Sequence, residues 1–118
     1  MTQADLALFR HLLEERRQEI LAEAERAMDA MNGERSNFAD PGDRAAMESA
    51  RNFVLRMRDR ERKLLAKIAE AVARIEDGSY GQCEECGLAI SLERLKARPV
   101  TTLCIACKAS QEARERQR

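Results

Sequence analysis

Apolar residues recur along the first part of the chain at intervals of three, four and seven. Leu6, Phe9, Leu13, Ile20, Ala24, Ala27 and Met31 form this stripe, and neither proline nor glycine interrupts it between Gln3 and Met31. Such spacing keeps one helix face apolar and predicts a helix over about 3–31. Asn32-Gly33 and the polar residues that follow break the pattern. It resumes near Asp40, where Ala46, Ala50, Phe53, Met57, Leu64, Ile68, Val72 and Ile75 predict a second helix over about 41–77. Gly78 then supplies a helix C-terminal residue. At about 1.5 Å per residue each helix is roughly 45 Å long. Joined by a tip at 32–43, the two read as a long antiparallel two-helix coiled-coil hairpin over 1–79.

Pairing Met31 with Ala46 sets Ile20 against Met57 and Arg16 against Glu61. The polar gap at Arg16-Arg17 then faces the polar gap at Arg60-Glu61. Two readings stand: a charged layer that fixes register, or two solvated sites where the stripe drifts.

Composition agrees with exposed, paired helices. Charged residues make 36% of the chain and aromatics 3%, with no Trp, against roughly a quarter charged in an average domain. Cations and anions balance at 21 each, which argues against a general polyanion binder. The segment MTQADLALFR lacks the basic start of a signal peptide. Apolar runs fall far short of the ~20 residues that span a bilayer. A cytoplasmic location is expected, where paired cysteines favour metal over disulfides.

The four cysteines stand as Cys83-Glu84-Glu85-Cys86 and Cys104-Ile105-Ala106-Cys107, or C-x2-C-x17-C-x2-C. Two intervening residues let both sulfurs of a pair reach one ion, and two pairs complete a tetrahedral thiolate shell for Zn2+. Four protein ligands leave no position for water or substrate, so the expected zinc is structural. Gly87 suits the turn after Cys86, because glycine reaches positive φ without strain. Residues 80–118 thus read as a small four-cysteine zinc-finger head. Ile90, Leu92, Leu95, Val100 and Leu103 are its candidate apolar cover, Pro99 breaks any helix between the pairs, and a C-terminal helix runs from about Cys104.

Two further features carry chemistry. At the hairpin tip, Asp40 reads as a helix N-cap, Pro41 as the first helical residue and Asp43 as the reciprocal carboxylate. The same acids, with Phe38, are also suited to a projecting probe that contacts a cation or a protein surface elsewhere. On the second helix, Arg56, Arg58, Arg60, Arg62, Lys63 and Lys67 stand against Asp59 and Glu61, and Arg98 and Lys108 add to them. That run is either a solvated face of i,i+4 pairs or a contact for an acidic protein patch or a phosphorylated small molecule.

DPGDRA at Asp40–Ala45, RDRERKLLAKI at Arg58–Ile68, YGQCEECG at Tyr80–Gly87 and ARPVTTLCIACK at Ala97–Lys108 together resemble the DksA/TraR family of bacterial transcription regulators. The resemblance runs from about Leu6 to the C-terminus. It implies a monomeric regulator that binds RNA polymerase rather than DNA. The coiled coil would enter the secondary channel and modulate promoter complexes with the alarmone ppGpp. The family's D-x-x-D-x-A tip falls on Asp40, Asp43 and Ala45, a polymerase-contacting arginine on Arg60, and the alarmone pocket on Leu64, Lys67, Arg98 and Lys108. Gly42 replaces a bulkier residue usual in the tip, and Ala66 stands where lysine is common.

Other classes are weighed against this. The cysteine spacing also fits DNA-binding GATA-type fingers, but residues 80–108 carry one net positive charge, which becomes about one negative once Zn2+ and four thiolates are counted. That is a poor grip on phosphates. A transcript-cleavage factor would use tip acids to hold Mg2+ in the polymerase. Redox work by the CxxC pairs would require loss of metal. A free-standing enzyme is not expected, since His11 is the only histidine and no nucleophile–base set is legible.

Overall fold

Thr2 and Asp5 open the first helix as a reciprocal cap. The Asp5 amide donates to Thr2 Oγ1 at 3.1 Å and the Thr2 amide to Asp5 Oδ2 at 3.0 Å, satisfying two donors that a helix start leaves without partners. Donation from the Thr2 amide, and after it from the Thr2 hydroxyl, holds the Asp5 carboxyl below its ordinary pKa. The computed structural model describes the backbone of residues 1–34 and 41–117; side chains at 31–34, 41–44, 46, 47, 49, 50, 53, 54 and 56 lie outside the description. Among the described residues the chain is mainly α: α1 (Gln3–Glu34), α2 (Pro41–Asp77), α3 (Leu92–Ala97) and α4 (Ile105–Arg116). The one β feature among them is an isolated antiparallel bridge between Gln82 and Ala89.

Pro41 begins α2 where its missing N–H is no loss. Gly78 ends it at φ 87°, with the Gly78 and Ser79 amides both donating to the Arg74 carbonyl at 2.9 and 3.0 Å. Asn32-Gly33, expected to break the first helix, instead lies inside α1, which continues to Glu34. A glycine in a helix interior costs only about 1 kcal/mol relative to alanine, too little to stop a helix that is otherwise well formed.

Packing divides the chain into two compact units, and both long helices contribute to each. One unit joins Met1–Glu15 to Lys67–Arg118. Its core is Phe9, Leu13, Ile68, Ala71, Tyr80, Cys83, Ile90 and Leu95. The Phe9 and Tyr80 rings meet at 5.6 Å and 48°, an offset contact that aromatic quadrupoles favour. Arg10 of α1 bonds to Glu76 of α2 at 3.1 Å. Each fully buried Leu, Ile or Phe contributes roughly 1.5–3 kcal/mol relative to an exposed one, so this cluster dominates the unit's stability. Leu92, expected over the metal, is exposed, whereas Ile90 and Leu95 on either side of it are buried.

The other unit is Arg16–Ala66. Among its described residues Ile20 is buried, beside a groove of about 230 Å³ lined by Ala24, Met28, Arg58, Glu61 and Leu65. Arg58 is half-buried and donates Nη2–H to the Ala24 carbonyl at 2.8 Å. The expected register is therefore corrected: Ala24 meets Arg58, while the sequence pairing would have set it near Phe53. Arg16 does not join a charged layer with Glu61 but bonds along its own helix to Glu19 at 3.1 Å. A guanidinium can reach a carbonyl on the neighbouring helix and keep its apolar stem in the seam, which an apolar-stripe count does not weigh.

Candidate metal centre and anion pocket

The zinc module forms locally because its turns are set by short-range bonds. The Cys83 amide donates to the Leu88 carbonyl at 2.9 Å and the Gly87 amide to the Cys83 carbonyl at 2.9 Å, with Gly87 at φ 74° as the turn requires. Ile90 N–H donates to the Gly81 carbonyl at 2.7 Å and closes the loop. The second pair sits at a helix start: Cys104 is the N-cap of α4, and its Sγ accepts from the Cys107 amide at 3.5 Å. A helix N-terminus favours negative charge there.

All four Sγ atoms lie within 4.8 Å of one another. Cys86 Sγ and Cys104 Sγ are 3.8 Å apart, the edge of a tetrahedron whose metal–sulfur bonds are about 2.3 Å. The donor set fits Zn2+. Backbone N–H groups, chiefly that of Cys104, hold the Cys83 thiol down at about 6, while a hydrogen bond with the Cys104 sulfur pushes Cys107 up to about 12. Thiols this crowded compete for protons, and a bound zinc ion would take them all as thiolates and staple the two CxxC turns together.

Arg94 holds the approach to the second pair. Its Nε–H donates to the Leu103 carbonyl at 2.9 Å and Nη2–H to Thr101 Oγ1 at 3.2 Å. The α3 cap that positions it is Ser91, whose hydroxyl accepts from the Arg94 amide at 3.2 Å.

Beside the metal centre is a pocket of about 280 Å³. Five cations line it: Lys67 and Arg74 from α2, Arg94 from α3, Arg98 just after it, and Lys108 from α4. Three of the four positions expected to bind the alarmone, Lys67, Arg98 and Lys108, are thus brought together. Leu64 belongs to the other unit and is half-buried there. Arg60 is exposed in that unit. At the tip, Asp40 lies outside the described residues; Asp43 and Ala45 are in the first turns of α2, Ala45 exposed and the Asp43 side chain outside the description.

Sequence reasoning missed Arg74, Arg94, Glu70 and Glu84 as pocket residues. Lys67, Glu70 and Arg74 recur at i, i+3 and i+7, one face of α2, and that spacing was the available signal. Nothing in the sequence announces that Arg94 or Glu84 turns toward the same space.

A mainly helical chain whose four cysteine sulfurs gather within 4.8 Å of one another has the donor set of a four-cysteine zinc finger. It belongs to the DksA/TraR family. Residues 5–75 match the family described as DnaK suppressor protein DksA, N-terminal domain, and residues 78–113 the prokaryotic dksA/traR C4-type zinc finger. The chain is 47% identical over 117 residues to the RNA polymerase-binding transcription factor DksA of Escherichia coli K12, covering 99% of this chain and 78% of that protein. It is 44% identical over 116 residues to the protein of the same name from Caulobacter vibrioides, covering 98% and 82%. Among solved structures, transcription factor DksA2 from Pseudomonas aeruginosa superposes with a TM-score of 0.89 at 43% identity, covering 98% of this chain and 89% of that one.

Proposed function

We propose that this chain is a transcription regulator that binds RNA polymerase directly and modulates promoter complexes at initiation together with ppGpp. The relatives' shared name as RNA polymerase-binding factors supports the partner. The observation that carries the effector reading is the pocket: Lys67, Arg98 and Lys108, from three separate segments, converge with Arg74 and Arg94 beside the zinc module. Arginine forks and lysine point charges are what a polyphosphate needs.

In this reading the segment bearing Asp40, Asp43 and Ala45 enters the polymerase secondary channel, Arg60 contacts the polymerase, and Leu64 completes the alarmone site at the interface. The chain itself performs no catalysis, acts as a monomer in the cytoplasm and does not read DNA sequence. Among the described residues no helix is long and apolar enough to cross a membrane. Zinc has a structural part only, holding Lys108 and the segment after Arg98 in place.

The test is in vitro transcription from a ribosomal RNA promoter with purified polymerase, with and without ppGpp. The chain is expected to change promoter output, and ppGpp to enlarge the change. No effect at saturating chain would refute the reading, and specific DNA binding without polymerase would replace it.

A further inference from the structure

The pocket beside the zinc knuckle carries its own negative charge. Glu84 stands between the ligands Cys83 and Cys86, and its amide donates to the Thr102 carbonyl at 2.9 Å, so the backbone beneath its carboxylate is fixed. That carboxylate bonds to Nη2 of Arg74 from the last turn of α2. The two side chains differ in exposure, Arg74 at 20% and Glu84 at 56%. Glu84 therefore approaches from the solvent side, over a cation that is more deeply set.

The other pocket cations are engaged differently. Arg94 is committed to Leu103 and Thr101, and Lys108 Nζ donates to Gln111 Oε1 at 3.1 Å. Lys67 and Arg98 have no side-chain bond among the described residues. Arg74 alone among the five is matched to an opposite charge. A guanidinium fork accepts a phosphate in the same way as a carboxylate, so Glu84 occupies the donors that an incoming phosphate would use. It also repels that phosphate while it stays there.

We propose that Glu84 is a built-in competitor for this pocket: it holds Arg74 until a phosphate-bearing ligand displaces it, and so sets the ligand concentration at which the site fills. The proposal rests on the pocket's reading as the ppGpp site. An exposed ion pair is weak and opens readily, which makes Glu84 a tuner of affinity rather than a lock. Its side chain swings toward solvent, and no backbone rearrangement of the knuckle is required.

The test titrates ppGpp against promoter output with purified polymerase, using the unmodified chain, Glu84→Gln, Arg74→Gln and the double variant. Glu84→Gln is expected to lower the half-maximal ppGpp concentration roughly two- to fivefold, the size of an exposed ion pair. Arg74→Gln should raise it, and in that background the Glu84→Gln gain should vanish. Glu84→Asp, which keeps the charge but shortens the reach, should give a smaller gain. Zinc retention against a chelator is measured on each variant, because a purely structural role between two metal ligands would change that and leave the ppGpp midpoint alone. An unchanged or raised midpoint in Glu84→Gln overturns the proposal, as does an equal gain without Arg74. If the unmodified chain regulates but shows no ppGpp response, the pocket reading itself fails first, and that result is distinct from the other two.

Discussion

The Tyr80 hydroxyl donates to the Pro99 carbonyl at 2.8 Å. This bond ties the residue that enters the zinc module to the turn that leads into the second cysteine pair, while the Tyr80 ring rests on Phe9 of α1. One side chain thereby joins three segments that are distant in sequence. Pro99 ends the short α3 region, and its carbonyl would otherwise lie half-buried with fewer partners.

Tyr80 is the only tyrosine and there is no Trp, so the tyrosinate absorbance reports on this position alone. Burial pushes its pKa from 10.0 up to about 12. The folded state holds the proton more tightly than the unfolded one, so this contribution to stability is complete below pH 10 and is lost as pH rises toward about 12. Alkaline titration should show one late transition that coincides with unfolding. Tyr80→Phe should cost about 1 kcal/mol through the lost hydrogen bond, or roughly 3–5 °C in a chain of this size. An ordinary tyrosinate midpoint near pH 10 in the folded protein would contradict the burial argument.

Arg94 should control zinc retention without touching a sulfur. It fixes Thr101 and Leu103, the latter directly before Cys104. Outer partners of metal ligands typically change affinity by about 10–100-fold when removed. Arg94→Ala is expected to release zinc about tenfold faster to a chelator, and Arg94→Lys, with one compact donor group in place of the fork, to fall between. Equal release rates in all three proteins would show that the 101–103 segment holds itself.

Much of this was legible in the chain. Period and breakers gave α2 almost to the residue, since Pro41 and Gly78 act through covalent geometry and need no tertiary context. Cysteine spacing placed the metal centre for the same reason. The Thr2–Asp5 cap was readable as T-x-x-D and was missed. What could not be read were pairings that depend on which face a long cation turns to. Arg58 belongs to a run of similar residues, yet among the described ones it is half-buried against α1 while Arg60, Arg62 and Lys63 are exposed. Arg74 and Glu84 are ten residues apart across a helix end, and only the turn at Gly78 makes them neighbours.

Arg58 gives a sharp comparison because two effects of similar size oppose. Its Nη2 bond to Ala24 is charge-assisted, worth about 1.5–3 kcal/mol. Its Nε is buried with no partner among the described residues, a cost of about 1–3 kcal/mol. The Ala24 carbonyl also lies mid-helix, where the α1 ladder already uses it. Arg58→Met keeps the apolar stem and removes both polar effects, so its stability should stay within about 1 kcal/mol of the unmodified protein. Arg58→Ala loses the stem as well and should be about 2 kcal/mol less stable. Thermal and urea unfolding followed by helical circular dichroism would decide. A Met variant as damaged as the Ala variant would mean that the hydrogen bond, rather than the stem, holds the seam.

On the proposed reading, the tip should separate binding from regulation. Asp43 falls in the first turn of α2, where a carboxylate stabilises the helix start by about 0.3–1 kcal/mol. That is too little to unfold a 37-residue helix. Asp43→Asn should therefore leave the circular dichroism and the affinity for polymerase nearly unchanged, while abolishing the effect on a ribosomal RNA promoter. Lys67→Ala and Arg98→Ala, at the pocket, should show the opposite division: basal regulation retained and the ppGpp response lost. Asp43 opens α2, whereas Lys67 and Arg98 line the pocket beside the metal centre, so the pattern is diagnostic. If Asp43→Asn regulates normally, the acid is a helix cap and nothing more. If Asp43→Asn loses polymerase binding altogether, the tip is an anchor, and the role proposed for it as an effector inside the channel is wrong.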